Sequence, residues 1–161
     1  MDGITPVGGE FSLRPVVKDD LRALIKIESA VSPFPWSARQ FNDSIKNHQG
    51  VVLVRRRRVV GYLFFYRVLD QAELVNIAVA PQFQGQGLGS ELLQYCLNQL
   101  RRHTARLHLE VRASNFPAIA LYLRTGFKQV GERRNYYRDG NISEDALLMA
   151  FDFSESRSGE G

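Results

Sequence analysis

Cysteine is almost absent from this 161-residue chain, where Cys96 stands alone, and histidine is scarce, with only His48, His103 and His108. A single thiol excludes an internal disulfide, and the histidines show no ligand spacing around it, so no structural metal is expected. No run approaches the roughly 20 apolar residues that cross a bilayer, and Met1 to Pro6 has neither the basic start nor the apolar stretch of a secretory leader. The expected compartment is the cytoplasm. Proline is also sparse, at 6 residues, and 44% hydrophobic with 24% charged residues excludes collagen-like, low-complexity and disordered classes. At this length, one domain burying roughly 70% of the unfolded chain's surface is expected, and a two-domain chain is not. A large charge of one sign is missing too. The 21 Lys and Arg against 17 Asp and Glu leave +4, an excess that suits nucleic acid or a polyanionic cofactor without separating them.

Both ends are poor in residues to bury, so 1–10 and 154–161 are expected as flexible tails around a domain spanning 11–153. Phe11 to Val17 alternates as a strand. A helix follows, set by Leu21, Leu24, Ile25 and Glu28 and capped by Asp19 or Asp20. Pro33-Phe34-Pro35-Trp36 breaks it, Ser37 caps a second helix carrying Phe41 and Ile45, and Gly50 is expected to end that one. Val51–Val54 and Val59–Leu69 form a hairpin across Arg55-Arg56-Arg57-Arg58, and Glu73–Val79 supplies the next strand. Strand and helix then alternate. Leu88, Leu92, Leu93, Cys96 and Leu100 mark a helix, and Arg106–Arg112 is a strand with Leu107, Leu109 and Val111 on one side and His108, Glu110 and Arg112 on the other. Phe116–Arg124 is helical up to Gly126. Phe127–Arg133 and Ala146–Phe153 are the last strands, separated by a turn at Asp139-Gly140-Asn141. The order β-α-α-β-β-β-α-β-α-β-β predicts an α/β (α+β) fold with one mixed sheet covered by helices.

The segment Gln84-Gly85-Gln86-Gly87-Leu88-Gly89 lies between a strand and a helix. Missing side chains there allow close backbone approach, and successive N–H groups at a helix start can hold a pyrophosphate. An ordinary glycine-rich turn is the alternative. A Walker loop is excluded because no Gly-Lys-Ser or Gly-Lys-Thr follows, and the dinucleotide fingerprint would need a doubly wound parallel sheet. Cys96 lies on an apolar helical stripe, where thiols are inert. Arg55, Arg56, Arg57 and Arg58 suit a solvated hairpin tip, with contact to ribosomal RNA as the alternative. Trp36 reads as a core anchor for its loop.

Ile77-Ala78-Val79, Gln84-x-x-Gly87-x-Gly89, Leu109 to Asn115, Ala118 to Tyr122, Gly126-Phe127 and Arg134 to Tyr137 occur in this order along the chain. Together they resemble the GNAT N-acetyltransferases. The likeness is closer to the ribosomal-protein-alanine N-acetyltransferase subgroup (RimI type), which Phe34-Pro35-Trp36-Ser37 also fits, and it covers about residues 11 to 153. It implies the GNAT fold, a mixed, mostly antiparallel sheet of about seven strands with four helices on its faces. It also implies acetyl-CoA as cosubstrate and no metal. By position, Ile77, Ala78 and Val79 would pair with the pantetheine arm, Gly85, Gln86, Gly87, Leu88, Gly89 and Ser90 would wrap the pyrophosphate, and Asn115 would touch the cofactor. Gly85 and Ser90 depart from the arginines frequent in relatives, which removes charge there but no N–H donor. Glu110 would be the proton acceptor and Tyr122 the proton donor, with Glu73, Arg133, Tyr136 and Tyr137 at the acceptor entrance.

Attack of a neutral amine on a thioester needs a base, donors for the oxyanion, for which the Val79 N–H is expected, and a proton for the thiolate. The resemblance implies a protein N-terminus as acceptor, that of the alanine of small-subunit ribosomal protein eighteen; a lysine or small-molecule amine is the alternative. An α-amine is roughly a quarter neutral at physiological pH and a lysine about one molecule in a thousand, which favours the first. A cofactor-binding module without activity is disfavoured by Glu110 and Tyr122 both being present, and an RNA-binding sheet by the lack of regularly placed aromatics.

Overall fold

The computed structural model describes residues 3–154. Its strands are β1 (Thr5–Gly8), β2 (Phe11–Pro15), β3 (Gln49–Arg55), β4 (Arg58–Val68), β5 (Gln71–Val79), β6 (Arg106–Arg112), β7 (Lys128–Asp139) and β8 (Ile142–Asp152). The helices are α1 (Leu21–Val31), α2 (Ala38–Asn47), α3 (Leu88–Leu100) and α4 (Phe116–Thr125). The eight strands form one sheet in the order β1-β2-β3-β4-β5-β6-β8-β7. The pairing of β5 with β6 is parallel and covers Gln71–Glu73 against Arg106–His108, while β6–β8 and β7–β8 are antiparallel. This is the expected α+β sheet with one strand more. The extra strand corrects the reading of residues 1–10 as a tail, because Thr5 and Pro6 pair with Leu13 and Ser12. Of the expected C-terminal tail, only Ser154 lies within the described residues.

The described residues form two compact units, the first comprising residues 3–66 with Leu74–Gln99 and the second Arg67–Glu73 with residues 100–154. In the first, Val51–Leu53 and Val60–Phe65 are buried without alternation. A strand reads this way only when both its faces are covered, and such runs are read as core rather than as half-exposed strand. Phe41 of α2 packs against Tyr62 and Phe64 with ring centres 5.5 and 6.3 Å away, and Trp36 lies 5.2 Å from Phe41. Trp36 thus anchors its loop in the core, as expected. The second unit keeps the alternation: Leu107, Leu109 and Val111 are buried, while His108, Glu110 and Arg112 remain partly exposed. Burying each such leucine contributes about 1.5–3 kcal/mol and fixes which residues face outward, since a slip by one would invert the faces.

Two local expectations are corrected. Asp20 stands at the start of α1 without capping it, because its carboxylate instead accepts both Arg14 guanidinium bonds, at 2.8 and 2.9 Å, and the Val17 N–H at 2.8 Å. Gly50 does not end α2. That helix stops at His48, and Gly50 lies in β3 where a Cβ would come within 2.5 Å of Val16 and 2.6 Å of Phe64. Ser37 does cap α2, its hydroxyl accepting the Gln40 N–H while the Gln40 side chain accepts the Ser37 N–H.

Candidate active site

In the first unit the site is made largely of backbone. The Ala80 N–H donates to the Val60 carbonyl at 2.8 Å. Peptide groups alternate sides along a strand, so Ala78 faces β4 with Ala80, and the N–H groups of Ile77 and Val79 point the other way. The Val79 carbonyl accepts a bond from the Gln84 side chain at 2.9 Å, which ties the glycine turn to the end of β5. Gly85 and Gly87 have φ of +81° and +83°, a region that disfavours other residues, and nothing lies within 4 Å of where their Cβ atoms would be. The turn therefore has both the conformation and the free space for a ligand to reach the main chain. The first α3 bond closes from Glu91 N–H to the Gly87 carbonyl, leaving the N–H groups of Leu88, Gly89 and Ser90 without intrahelical acceptors. Gln86 is exposed on the same turn. These residues fit a pyrophosphate through N–H donors and the positive end of α3.

A second fixture of this unit is absent from the sequence reading. Glu28 is 5% exposed; it accepts the Tyr62 hydroxyl at 2.7 Å and the Trp36 N–H at 3.0 Å, and Asn76 donates to Tyr62 at 3.3 Å. Burial first, and then the Glu28 charge, pushes the Tyr62 phenol far above its ordinary value. A glutamate four residues after Leu24 on the buried stripe of α1 is the signal that marks it. Cys96 is fully buried and its thiol is pushed up by burial, consistent with an inert packing residue.

In the second unit the site is made of side chains. Glu110 lies on the open side of β6, and Arg133 reaches its carboxylate at 3.7 Å. Arg133 also lies over Tyr136 at 4.9 Å, and Tyr136 meets Tyr137 edge-on at 5.3 Å. The motif Arg134 to Tyr137 falls where β7 departs from β8: Arg133 pairs with Ala146 and Tyr137 with Glu144, so three residues stand opposite Asp145 alone. Asn135 takes φ +53° in this bulge, and its N–H donates to Asp145 at 2.8 Å. Arg112, which the sequence places only on the same face as Glu110, supports the cluster, its guanidinium 4.1 Å from the Tyr137 ring centre and bonded to Asp139 at 3.0 Å and Glu144 at 3.3 Å. Burial raises the Tyr137 phenol above its ordinary value, the Glu110 charge adds to this, and Arg112 opposes it. Its alternation with Glu110 on β6 is what could have revealed Arg112.

Tyr122 is buried, with its ring 5.6 Å from Phe127; burial and then Tyr137 push its phenol well up. It stays protonated throughout the working pH range. Asn115 caps α4, its side chain accepting the Ala118 N–H at 3.4 Å. Glu73 pairs in register with His108. The second unit thus brings Glu110, Arg133, Tyr136 and Tyr137 together, while Ile77 to Val79 and Gly85 to Ser90 lie together in the first. Among the described residues no group of three or more His, Cys, Asp or Glu could hold a metal ion.

Residues 21–127 match the Acetyltransferase (GNAT) family. The chain belongs to the GNAT family. This acetyltransferase is 42% identical over 137 residues to the [ribosomal protein bS18]-alanine N-acetyltransferase of Escherichia coli K12, covering 84% of this chain and 93% of that one. It is 36% identical over 146 residues to the enzyme of that name from Haemophilus ducreyi, covering 86% and 97%. The crystal structure of the Escherichia coli ribosomal-protein-S18-alanine N-acetyltransferase superposes with a TM-score of 0.82 at 39% identity, covering 89% of this chain and 94% of that one. Arabidopsis thaliana NAA60 in complex with acetyl-CoA shares the fold, with a TM-score of 0.81 at 18% identity and coverage of 89% and 99%. The GNAT acetyltransferase is an acyltransferase whose family draws its acetyl group from acetyl-CoA.

Proposed function

We propose that this GNAT acetyltransferase moves the acetyl group of acetyl-CoA onto the α-amine of an N-terminal alanine, that of ribosomal protein bS18, in the cytoplasm. The observation that carries the acceptor is the 42% identity to an enzyme named for that reaction, across 84% of this chain. Residues 11–153 act as one catalytic domain in this reading.

For the donor, the N–H groups of Gly85, Gln86, Gly87, Leu88, Gly89 and Ser90 receive the pyrophosphate, the main chain at Ile77, Ala78 and Val79 pairs with the pantetheine, and Asn115 contributes from the start of α4. The outward Val79 N–H stabilises the oxyanion, worth several kcal/mol when a donor is fixed in advance. For the acceptor, Glu110 takes the ammonium proton, directly or through one water, and Tyr136 and Tyr137 flank the incoming N-terminus. Glu73 and Arg133 complete the entrance, and Arg133 lies 3.7 Å from the Glu110 carboxylate. The nitrogen would then bond to the thioester carbonyl carbon and the C–S bond would break, with Tyr122 giving its proton to the departing thiolate and regaining one from the nitrogen of the collapsing intermediate, so that the amide and the CoA thiol are left and the ammonium proton stays with Glu110. An α-amine with a pKa near 7.7–8.0 needs only modest help from a carboxylate, whereas a lysine near 10.4 costs about 3 kcal/mol more to deprotonate.

Acetyl transfer to short peptides tests this reading, with mass spectrometry of the product. The expected result is acetylation of the N-terminus of a peptide copying the start of bS18, with none on internal lysines. Acetylation confined to lysines, or to small-molecule amines, would reject the acceptor while leaving the enzyme class intact.

A further inference from the structure

The hairpin between β3 and β4 turns through Arg56 and Arg57, which both take positive φ, at +50° and +66°. Such turns favour Asn-Gly because other residues are strained there. Arg56 has a visible use: it donates to Glu10 at 2.9 and 3.0 Å. Arg55 also reaches Glu10, at 3.3 Å, and lies over the Phe11 and Phe83 rings at 5.9 and 5.6 Å. These contacts hold the hairpin in place. Arg57 and Arg58 are left exposed, with no carboxylate partner among the described residues.

Arg57 and Arg58 line a hollow of about 420 Å³ within the first unit, together with Lys26 from α1, which is likewise exposed. Ile27, Ala30 and Phe83 contribute apolar lining. Its two carboxylates are Asp19 and Asp20, and Asp20 is already neutralised by Arg14 through bonds of 2.8 and 2.9 Å. Three unpaired cations therefore face Asp19 alone, around an opening within the size range of small-ligand sites.

We propose that this hollow binds a segment of single-stranded RNA, with backbone phosphates on Arg57, Arg58 and Lys26 and a base against the apolar lining. Guanidinium forks match phosphate oxygens two at a time, and the Arg55 and Arg56 contacts fix the main chain that carries both arginines. RNA supplies a flat aromatic face beside each phosphate, which is what an apolar wall next to cations accommodates. An acidic peptide offers the charge without the face.

Fluorescence anisotropy of a labelled single-stranded RNA decamer with the full chain tests the proposal, read at several salt concentrations with and without saturating acetyl-CoA. Replacing Lys26, Arg57 and Arg58 together by Gln is expected to weaken binding tenfold or more. It should also flatten the slope of log affinity against log salt by about 2, at roughly 0.7 per phosphate contact. Arg102→Gln, the same kind of charge change elsewhere, should move neither, and the triple variant should still acetylate a short peptide. An unchanged slope, displacement of the RNA by acetyl-CoA, or equal binding of a polyglutamate peptide to the same residues would each overturn the proposal.

Discussion

The candidate site in the first unit is built from main chain and that in the second from side chains. At the glycine turn, Gly85 and Gly87 contribute conformation and open space, and the groups offered to a phosphate are N–H donors at the start of α3. Around Glu110 the groups are a carboxylate, two phenols and two guanidinium ions within contact of one another. Main-chain N–H donors do not titrate, so a binding site built from them keeps its donors at every working pH, provided the residues of the turn leave the backbone open. A cluster of titratable groups gives that up in exchange for the ability to take and return a proton.

Substitutions that strike one side alone test this contrast. The largest effect is expected from Glu110→Gln, which should lower kcat by about a hundredfold or more, the usual contribution of a general base. The rise in Tm caused by acetyl-CoA should stay as in the wild type; a loss of both would mean that Glu110 also holds the donor. Gly87→Asp should do the reverse, placing bulk and negative charge at a φ of +83° where the pyrophosphate is proposed to sit. Calorimetry should then show no cofactor stabilisation, which for wild type amounts to about 2.7 kcal/mol at a hundred times Kd. Tyr122→Phe removes a phenol oxygen from a buried ring and should leave stability unchanged. Its loss of turnover should be smaller, about tenfold, because a thiolate with a conjugate pKa near 8.5 leaves with little assistance. A deficit equal to that of Glu110→Gln would give Tyr122 a share in the attack itself.

The smallest effect concerns stability against acid in the first unit. Burial alone would raise the Asp20 carboxyl, but the Arg14 bonds and the Val17 N–H outweigh it and hold it below the usual carboxylate value. Its contribution is therefore present above the unfolded value of about 3.9 and is lost as pH falls through the lower folded value. Urea unfolding of Asp20→Asn should show a stability that falls less steeply below about pH 4 than that of wild type. Equal slopes would mean that the ion pair forms in the unfolded chain as well.

The alternation of Arg106–Arg112 and the heptad-like stripe of α3 made those elements legible, because in each the period of burial matches one exposed face. The strand Thr5–Gly8 was not legible: it is short, lies at the sheet edge and has no buried residue, so nothing in its composition distinguishes it from a tail. Gly50 misled for a different reason. A glycine after a helical run reads as a stop, whereas here it is required by the Val16 and Phe64 side chains pressed against β3. At the site, Gly87 stands out by its place in the glycine turn, and Glu110 only through the resemblance to the family's motif. Glu28 and Arg112 could be placed on a stripe or a face but not paired, and Asp139 and Glu144 could be neither, since a buried or bridged charge looks like any solvated one until its partner across the fold is known.

The bulge of β7 gives the second unit room to vary. Lys128 against Ala150 on one flank and Arg138 against Ser143 on the other fix β7 to β8, and β8 is fixed to β6 from Arg106 to Arg112. Residues added or deleted between Arg133 and Tyr137 would be absorbed within the bulge, with the pairings on either flank and the position of Glu110 retained. The length of one short segment can therefore set the shape of the rim beside Glu110 without moving the carboxylate itself.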